Sequence, residues 1–127
     1  MQDIDTIFQM LSSLQDPQTQ EKGLAEGKKV KSLSVFFQPA EGKIYWENCA
    51  KIIAGKQDRD LREQYVYPML LWLRDINWPG AEIIFERLRQ LPPEVVEPHI
   101  EVCLKQATAL GDAAWCSSLN ALKTGKE

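Results

Sequence analysis

The chain has 127 residues, 44% of them hydrophobic and 26% charged, with a net charge of −3 and an isoelectric point near 5.2. That is the size of one domain, with enough apolar content to build a core without disulfides or metals and too much for a disordered chain. The acidic balance weighs against general binding to nucleic acid or anionic membranes, where attraction to phosphate supplies the affinity, and no apolar run approaches the ~20 residues of a membrane span.

The first five residues, Met1-Gln2-Asp3-Ile4-Asp5, are acidic where an export signal is basic, so none is expected. Cys49, Cys103 and Cys116 are odd in number and widely spaced, which reads as reduced thiols in a cytoplasm. Trp46, Trp72, Trp78 and Trp115 fall in four different segments and are expected to share one core.

Asp3 is placed to cap a first helix, in which Ile4, Ile7, Phe8, Leu11 and Leu14 recur at spacings of three and four. Asp16-Pro17 restarts the chain. Asp caps, and Pro suits the first helical position because its absent N–H has no partner there anyway. This second helix is predicted to run towards Leu33 on a thin stripe of Gly23, Leu24, Gly27 and Val30, whose small residues allow close approach. Val35-Phe36-Phe37-Gln38-Pro39 reads either as an extended connector or as a last helical turn, and 40–42 as a loop. A third helix is predicted from about Lys43 to Ala54, with Tyr45, Trp46, Cys49, Ala50, Ile52 and Ile53 inward and Gly55 left-handed at its end.

Asp58 or Asp60 is expected to cap a short helix carrying Leu61, Tyr65 and Val66. Pro68 marks a new start, and Met69 to Ile76 is apolar on nearly every side, as a central helix is. Asn77-Trp78-Pro79-Gly80 breaks it, with Asn77 or Asp75 expected to cap the next helix, Trp78 to plug the gap and Pro79 to open the helix. Ala81, Ile84, Phe85, Leu88 and Leu91 form that helix's stripe, with Glu82, Glu86, Arg87 and Arg89 away from it. Pro92-Pro93 stops it. Pro98 is expected to begin another, with Ile100, Cys103, Leu104 and Ala107 inward, and Gly111 ends it. Asp112 caps the last helix, whose stripe is Trp115, Leu119 and Leu122, and 125–127 reads as a frayed tail.

No segment alternates as a strand does, and short connections set neighbouring helices antiparallel. The expected fold is all-α: a single domain over 1–127, built as a short right-handed stack of antiparallel helix pairs resembling HEAT or armadillo repeats. The run Leu-x-x-Leu-x-Asp-Pro, Leu11 to Pro17, is similar to the turn inside a HEAT-type pair. Residues 1–60 read as N-terminal pairs and 61–123 as C-terminal helices, with the tail from 124.

Few constellations suggest chemistry. Gly23-Leu-Ala-Glu-Gly27-Lys28-Lys29 falls one residue short of a phosphate-binding loop, has Lys29 where that loop needs a hydroxyl and follows no strand. Lys22, Lys28, Lys29 and Lys31 form the one basic cluster, a candidate patch for an acidic partner or phosphates, although without interleaved aromatics or bulk positive charge it reads better as a solvated helix face. His99 is the sole histidine, with Glu94, Glu97 and Glu101 near it, and one segment offers too few nitrogen or sulfur ligands for a transition metal. The cysteines sit on or beside apolar stripes as small hydrophobes, and Cys116 alone lies near a helix start. Trp72, Asp75, Asn77 and Trp78 are the candidate interaction surface, since aromatic anchors dominate interfaces, although each also has a local task in a turn.

The run Pro68-Met-Leu-Leu-Trp-Leu-Arg-Asp-Ile-Asn-Trp-Pro-Gly-Ala81, with Asp112-Ala-Ala-Trp115 downstream, resembles a bacterial family of unknown function, number five-zero-seven-one. The resemblance covers roughly Tyr65 to Leu122. It implies a helical, HEAT-like fold and carries no activity or catalytic residues with it. The chain departs from the family's pattern after Trp115, where Cys116, Ser117 and Ser118 stand in place of further aromatics.

These readings lead to a non-catalytic protein-interaction module in a bacterial cytoplasm, of the immunity or antitoxin type, without cofactor or metal. Its partner is expected to be another protein. The alternative is a nucleic-acid-binding or enzymatic HEAT-like protein whose site forms only in three dimensions. It would require Lys22, Lys28, Lys29, Lys31, Lys51, Arg59, Arg62 and Arg74 to line one groove. A homodimer with a structural role is a third reading.

Overall fold

A computed structural model describes residues 3–39, 42–61 and 64–124. The C-terminal tail at 125–127, most of the loop at 40–42 and Arg62 lie outside the described residues.

Helix α1 spans Ile4–Leu11, and α2 spans Pro17–Gly27. Both start as their sequences dictate. Asp3 Oδ1 accepts the Thr6 N–H at 2.8 Å, and Asp16 Oδ1 accepts that of Thr19 at 2.8 Å, with Pro17 at the first helical position. Ile7 and Leu11 are buried, whereas Leu14, expected on the same stripe, is 82% exposed because α1 ends at Leu11 and turns its continuation outward.

Helix α2 stops at Gly27, six residues before the Leu33 end expected for it. The N–H groups of Lys29 and Val30 bond three residues back, tightening the end. The chain then turns so that Leu33 and Phe36, on a 3₁₀ segment at Leu33–Phe36, fill the core. Gly23 and Gly27 are buried, and a Cβ on Gly23 would lie 2.8 Å from Met10 Cβ while one on Gly27 would run into Ile52.

A 3₁₀ turn at Lys43–Tyr45 leads into α3, Trp46–Ala54, which buries Cys49, Ala50, Ile52 and Ile53. Gly55 is right-handed at φ −78°, not left-handed as expected, because the Arg87 side chain, from later in the sequence, serves the Ala54 carbonyl at the end of α3. Asn48 is buried on α3, and its amide donates to the Leu11 carbonyl at 2.8 Å and to Gln20 Oε1 at 2.9 Å, fastening the α1–α2 hairpin.

Helix α4, Asp58–Leu61, is one turn. Helix α5 spans Val66–Trp72 and so begins before Pro68, which sits harmlessly in the first turn, where N–H groups have no helical partner. Helix α6 spans Ala81–Gln90. Pro79 does not open it. Gly80 is its N-cap at φ +84°, and no side chain caps it, so Asp75 and Asn77 do not have the capping task expected of them. Helix α7 spans Pro93–Leu110, with Pro93 rather than Pro98 at its start. Pro98 is exposed, and the Glu94 carbonyl it leaves without a helical donor belongs to an exposed residue. Gly111 at φ +68° ends α7, and Asp112 Oδ1 accepts the Trp115 N–H at 3.1 Å to cap α8, Ala113–Thr124.

The fold is all-helical, with eight α-helices and no strand among the described residues. None of these helices is long and apolar enough to cross a membrane. The hairpin α1–α2 lies on α3, α3 packs on α6, α6 also touches α5 and α8, and α5 and α8 meet α7. One continuous core results. Trp72 and Trp115 are buried within it, and their indole N–H groups donate to the carbonyls of Pro79 and Leu70 at 3.0 Å each. Trp46 and Trp78 are half-buried. Trp78 packs edge-on to Trp46 at 5.6 Å and lies against the core from the surface turn that carries it.

Candidate functional site

The joint between α5 and α6 is the first candidate. Asp75 Oδ1 accepts the Asn77 N–H at 2.9 Å, and the Trp78 N–H bonds the Asp75 carbonyl at 3.0 Å, so the two polar residues shape the turn. Gly80 then passes close to α3. A Cβ there would stand 2.7 Å from Ala50 Cβ and 3.0 Å from the Trp46 carbonyl. Of the four residues expected to form an interaction surface, Trp72 is buried and takes no part in any surface. Asn77 and Trp78 do line a surface hollow of about 280 Å³ together with Glu47, Ile76 and Glu82.

The lysine cluster is differently placed. Lys22, Lys28, Lys29 and Lys31 are exposed on and just after α2. Lys29 pairs with Glu26 at 2.9 Å, and Lys56 Nζ donates to the Lys28 and Val30 carbonyls at 2.7 and 3.2 Å. Cations at a helix C-terminus offset its partial negative charge, which gives Lys28, Lys29 and Lys31, just past the end of α2, a structural task. Lys51 pairs with Glu47 at 3.8 Å. Arg74 pairs with Asp112 at 3.2 Å, its guanidinium 5.5 Å above the Trp115 ring. Among the described residues no three His, Cys, Asp or Glu side chains gather as a metal site would, and Glu101 beside His99 is paired with Lys123 at 2.6 Å.

The residues that the structure brings together, and that the sequence pattern did not single out, lie along α6. Glu82 and Glu86 are exposed one turn apart on it. On one side, α6 and α8 enclose a groove of about 520 Å³, walled by Ile76, Phe85, Ser117, Ser118 and Ala121, with the two glutamates at its edge. On the other side, Glu82, Ile83, Glu86, Arg87 and Gln90 border a second hollow of about 440 Å³ against Ala54 of α3. The groove stays open because α8 presents small side chains there. Ile76, 37% exposed, is an apolar residue in a tight turn. That, and Ser117-Ser118 directly after Trp115, are the signals that could have found the groove.

Arg87, expected on the solvent side, is buried instead. Its guanidinium donates to the Ala54 and Lys56 carbonyls at 3.1 and 2.8 Å and to Asp58 Oδ1 at 2.6 Å. A forked cation thus closes the end of α3, and Glu86 keeps Arg89, at 3.0 Å to each carboxylate oxygen, as its ion-pair partner.

The family model described as Domain of unknown function (DUF5071) matches residues 48–122. The chain belongs to this family. The DUF5071 match opens at Asn48, well before the Tyr65 start of the resemblance read from the sequence, and therefore takes in most of α3. The α6 face with its groove falls inside the matched residues, while Lys22 to Lys31 falls outside them. No curated protein and no solved structure matches the chain.

Proposed function

We propose that this chain is a non-catalytic protein-binding module of the bacterial cytoplasm, built as a short HEAT-like stack, that neutralises a cationic partner in the manner of an immunity or antitoxin protein. The observation carrying this reading is the α6 face, where exposed carboxylates of Glu82 and Glu86 adjoin apolar hollows. Complementary charge gives a partner fast encounter and correct orientation, and apolar anchors give the contact its lifetime. The paired succession of α1 with α2, α5 with α6 and α7 with α8 supports the stacked-pair reading of the fold.

The test is affinity capture at near-native expression in the native host, followed by reconstitution from purified components. The expected result is a stoichiometric basic protein whose complex weakens with salt, encoded beside this chain and harmful when produced without it. Recovery of abundant bulk proteins alone would overturn the reading.

A further inference from the structure

We propose that the α6–α8 groove is a docking site for a cationic amphipathic helix of the partner. This rests on the binding reading above and names its site. The groove is mainly apolar, with Phe85 half-buried on its α6 wall and Ile76 exposed at its end. Its volume is about 520 Å³. A trough between two helices is the natural seat of a third, whose ridge of side chains drops into it.

Charge selects among occupants. Glu82 and Glu86 lie on the α6 edge, whereas Ser117, Ser118 and Ala121 on the α8 edge are neutral. Glu86 is already held by Arg89 at 3.0 Å, so the rim charge open to a ligand cation is that of Glu82. Glu82 has no ion pair among the described residues, so its charge is available to a ligand. A second copy seated symmetrically would set Glu82 against its equivalent, and nucleic acid or an anionic membrane would oppose the same charge. An apolar ridge flanked by Lys or Arg satisfies both the walls and the rim.

The test uses an 18-residue Lys/Leu amphipathic helical peptide (length chosen as about five helical turns) carrying fluorescein, with a Glu/Leu peptide of the same pattern as control. Binding to the full chain is read by anisotropy at low and at raised salt. The Lys/Leu peptide is expected to bind and the Glu/Leu peptide not to. Glu82→Gln with Glu86→Gln should weaken binding about tenfold, and Ser117→Trp, which fills the groove from an exposed position without altering charge, should do so at both salt concentrations. Glu21→Gln with Asp5→Asn, acids elsewhere on the surface, should change little. Equal weakening by that remote pair, or indifference to Ser117→Trp, would overturn the proposal. So would a dimer in sedimentation that Ser117→Trp abolishes, since a second copy would then own the groove. The native partner discriminates the two readings. If it binds the groove variants normally, the module reading stands and this site falls. If the peptide docks as described and no partner exists, the reverse holds.

Discussion

Arg87 reaches from α6 to Asp58 at the start of α4, with Nη2 and Oδ1 2.6 Å apart, while the same guanidinium closes the carbonyl end of α3. The two partners are unequal: the Arg87 side chain is 9% exposed and that of Asp58 44%. Most of the stabilisation should therefore come from the buried carbonyl bonds. Arg87→Ala is expected to cost about 2–4 kcal/mol in urea unfolding, since it leaves buried acceptors unpaired. Asp58→Asn should cost about 1 kcal/mol or less, as half-exposed pairs do. Arg87→Lys should recover only part, because an ammonium lacks the fork. Equal losses for Asp58→Asn and Arg87→Ala would mean that the ion pair, rather than the capping of α3, dominates.

Gly80 and Gly111 provide a matched comparison. Both have positive φ, +84° and +68°, but a Cβ at Gly80 meets Ala50, Trp46 and Trp72, while one at Gly111 meets nothing within 4 Å. Gly111→Ala should cost about 1 kcal/mol for the left-handed backbone alone. Gly80→Ala should cost about 2–5 kcal/mol, the same backbone term plus overpacking against α3. Thermal melting that ranks them equally would show that α3 yields at no cost.

Acid should loosen the N-terminal hairpin. The backbone N–H of Thr6 holds the Asp3 carboxyl below its ordinary value of 3.8, and hydrogen bonding from Thr19 does the same for Asp16. A depressed folded-state value contributes stability that is present above pH 3.8 and disappears as the pH falls through the lower folded value. Circular dichroism from neutrality down to about pH 2 should therefore show loss of α1 and α2 signal below about pH 4. Asp16→Asn keeps a capping oxygen that does not titrate, so it should blunt this loss. An unchanged acid transition in that variant would place its origin elsewhere.

The three thiols should differ in reactivity. Burial pushes the Cys103 thiol up to about 11, which keeps it protonated and slow near neutral pH. Cys49 is buried as well, and Cys116 is half-buried near the start of α8. Timed alkylation of the native chain, read by mass spectrometry, should modify Cys116 well before the other two. Comparable rates at Cys103 would require frequent opening of α7 from the core.

Much of the fold was legible because its signals are local. Asp3, Asp16 and Asp112 each cap the helix that follows them, and the Trp115, Leu119 and Leu122 stripe is buried as its spacing requires. What was not legible depends on distant chain. Gly80 rather than Pro79 sets the start of α6 because α3 passes beside it, some thirty residues away in sequence. Arg87 reads as a surface residue until the end of α3 supplies its acceptors. The groove follows the same rule. Glu82 and Glu86 look like ordinary solvated acids, and only the pairing of α6 with the small side chains of α8 places an apolar trough beside them.

Asn48 marks a seam. The residue at which the family match opens also holds the Leu11 carbonyl and the Gln20 amide. The hairpin before it acts as a lid on α3, fixed by two polar stitches and by Gly27 lying flat on Ile52. Modular exchange is easiest at such a boundary. Another element with a small residue to face Ile52 and an acceptor for the Asn48 amide could be grafted there. A chain shortened to the seam without a replacement would bare Ile52 and tend to gather with its own kind.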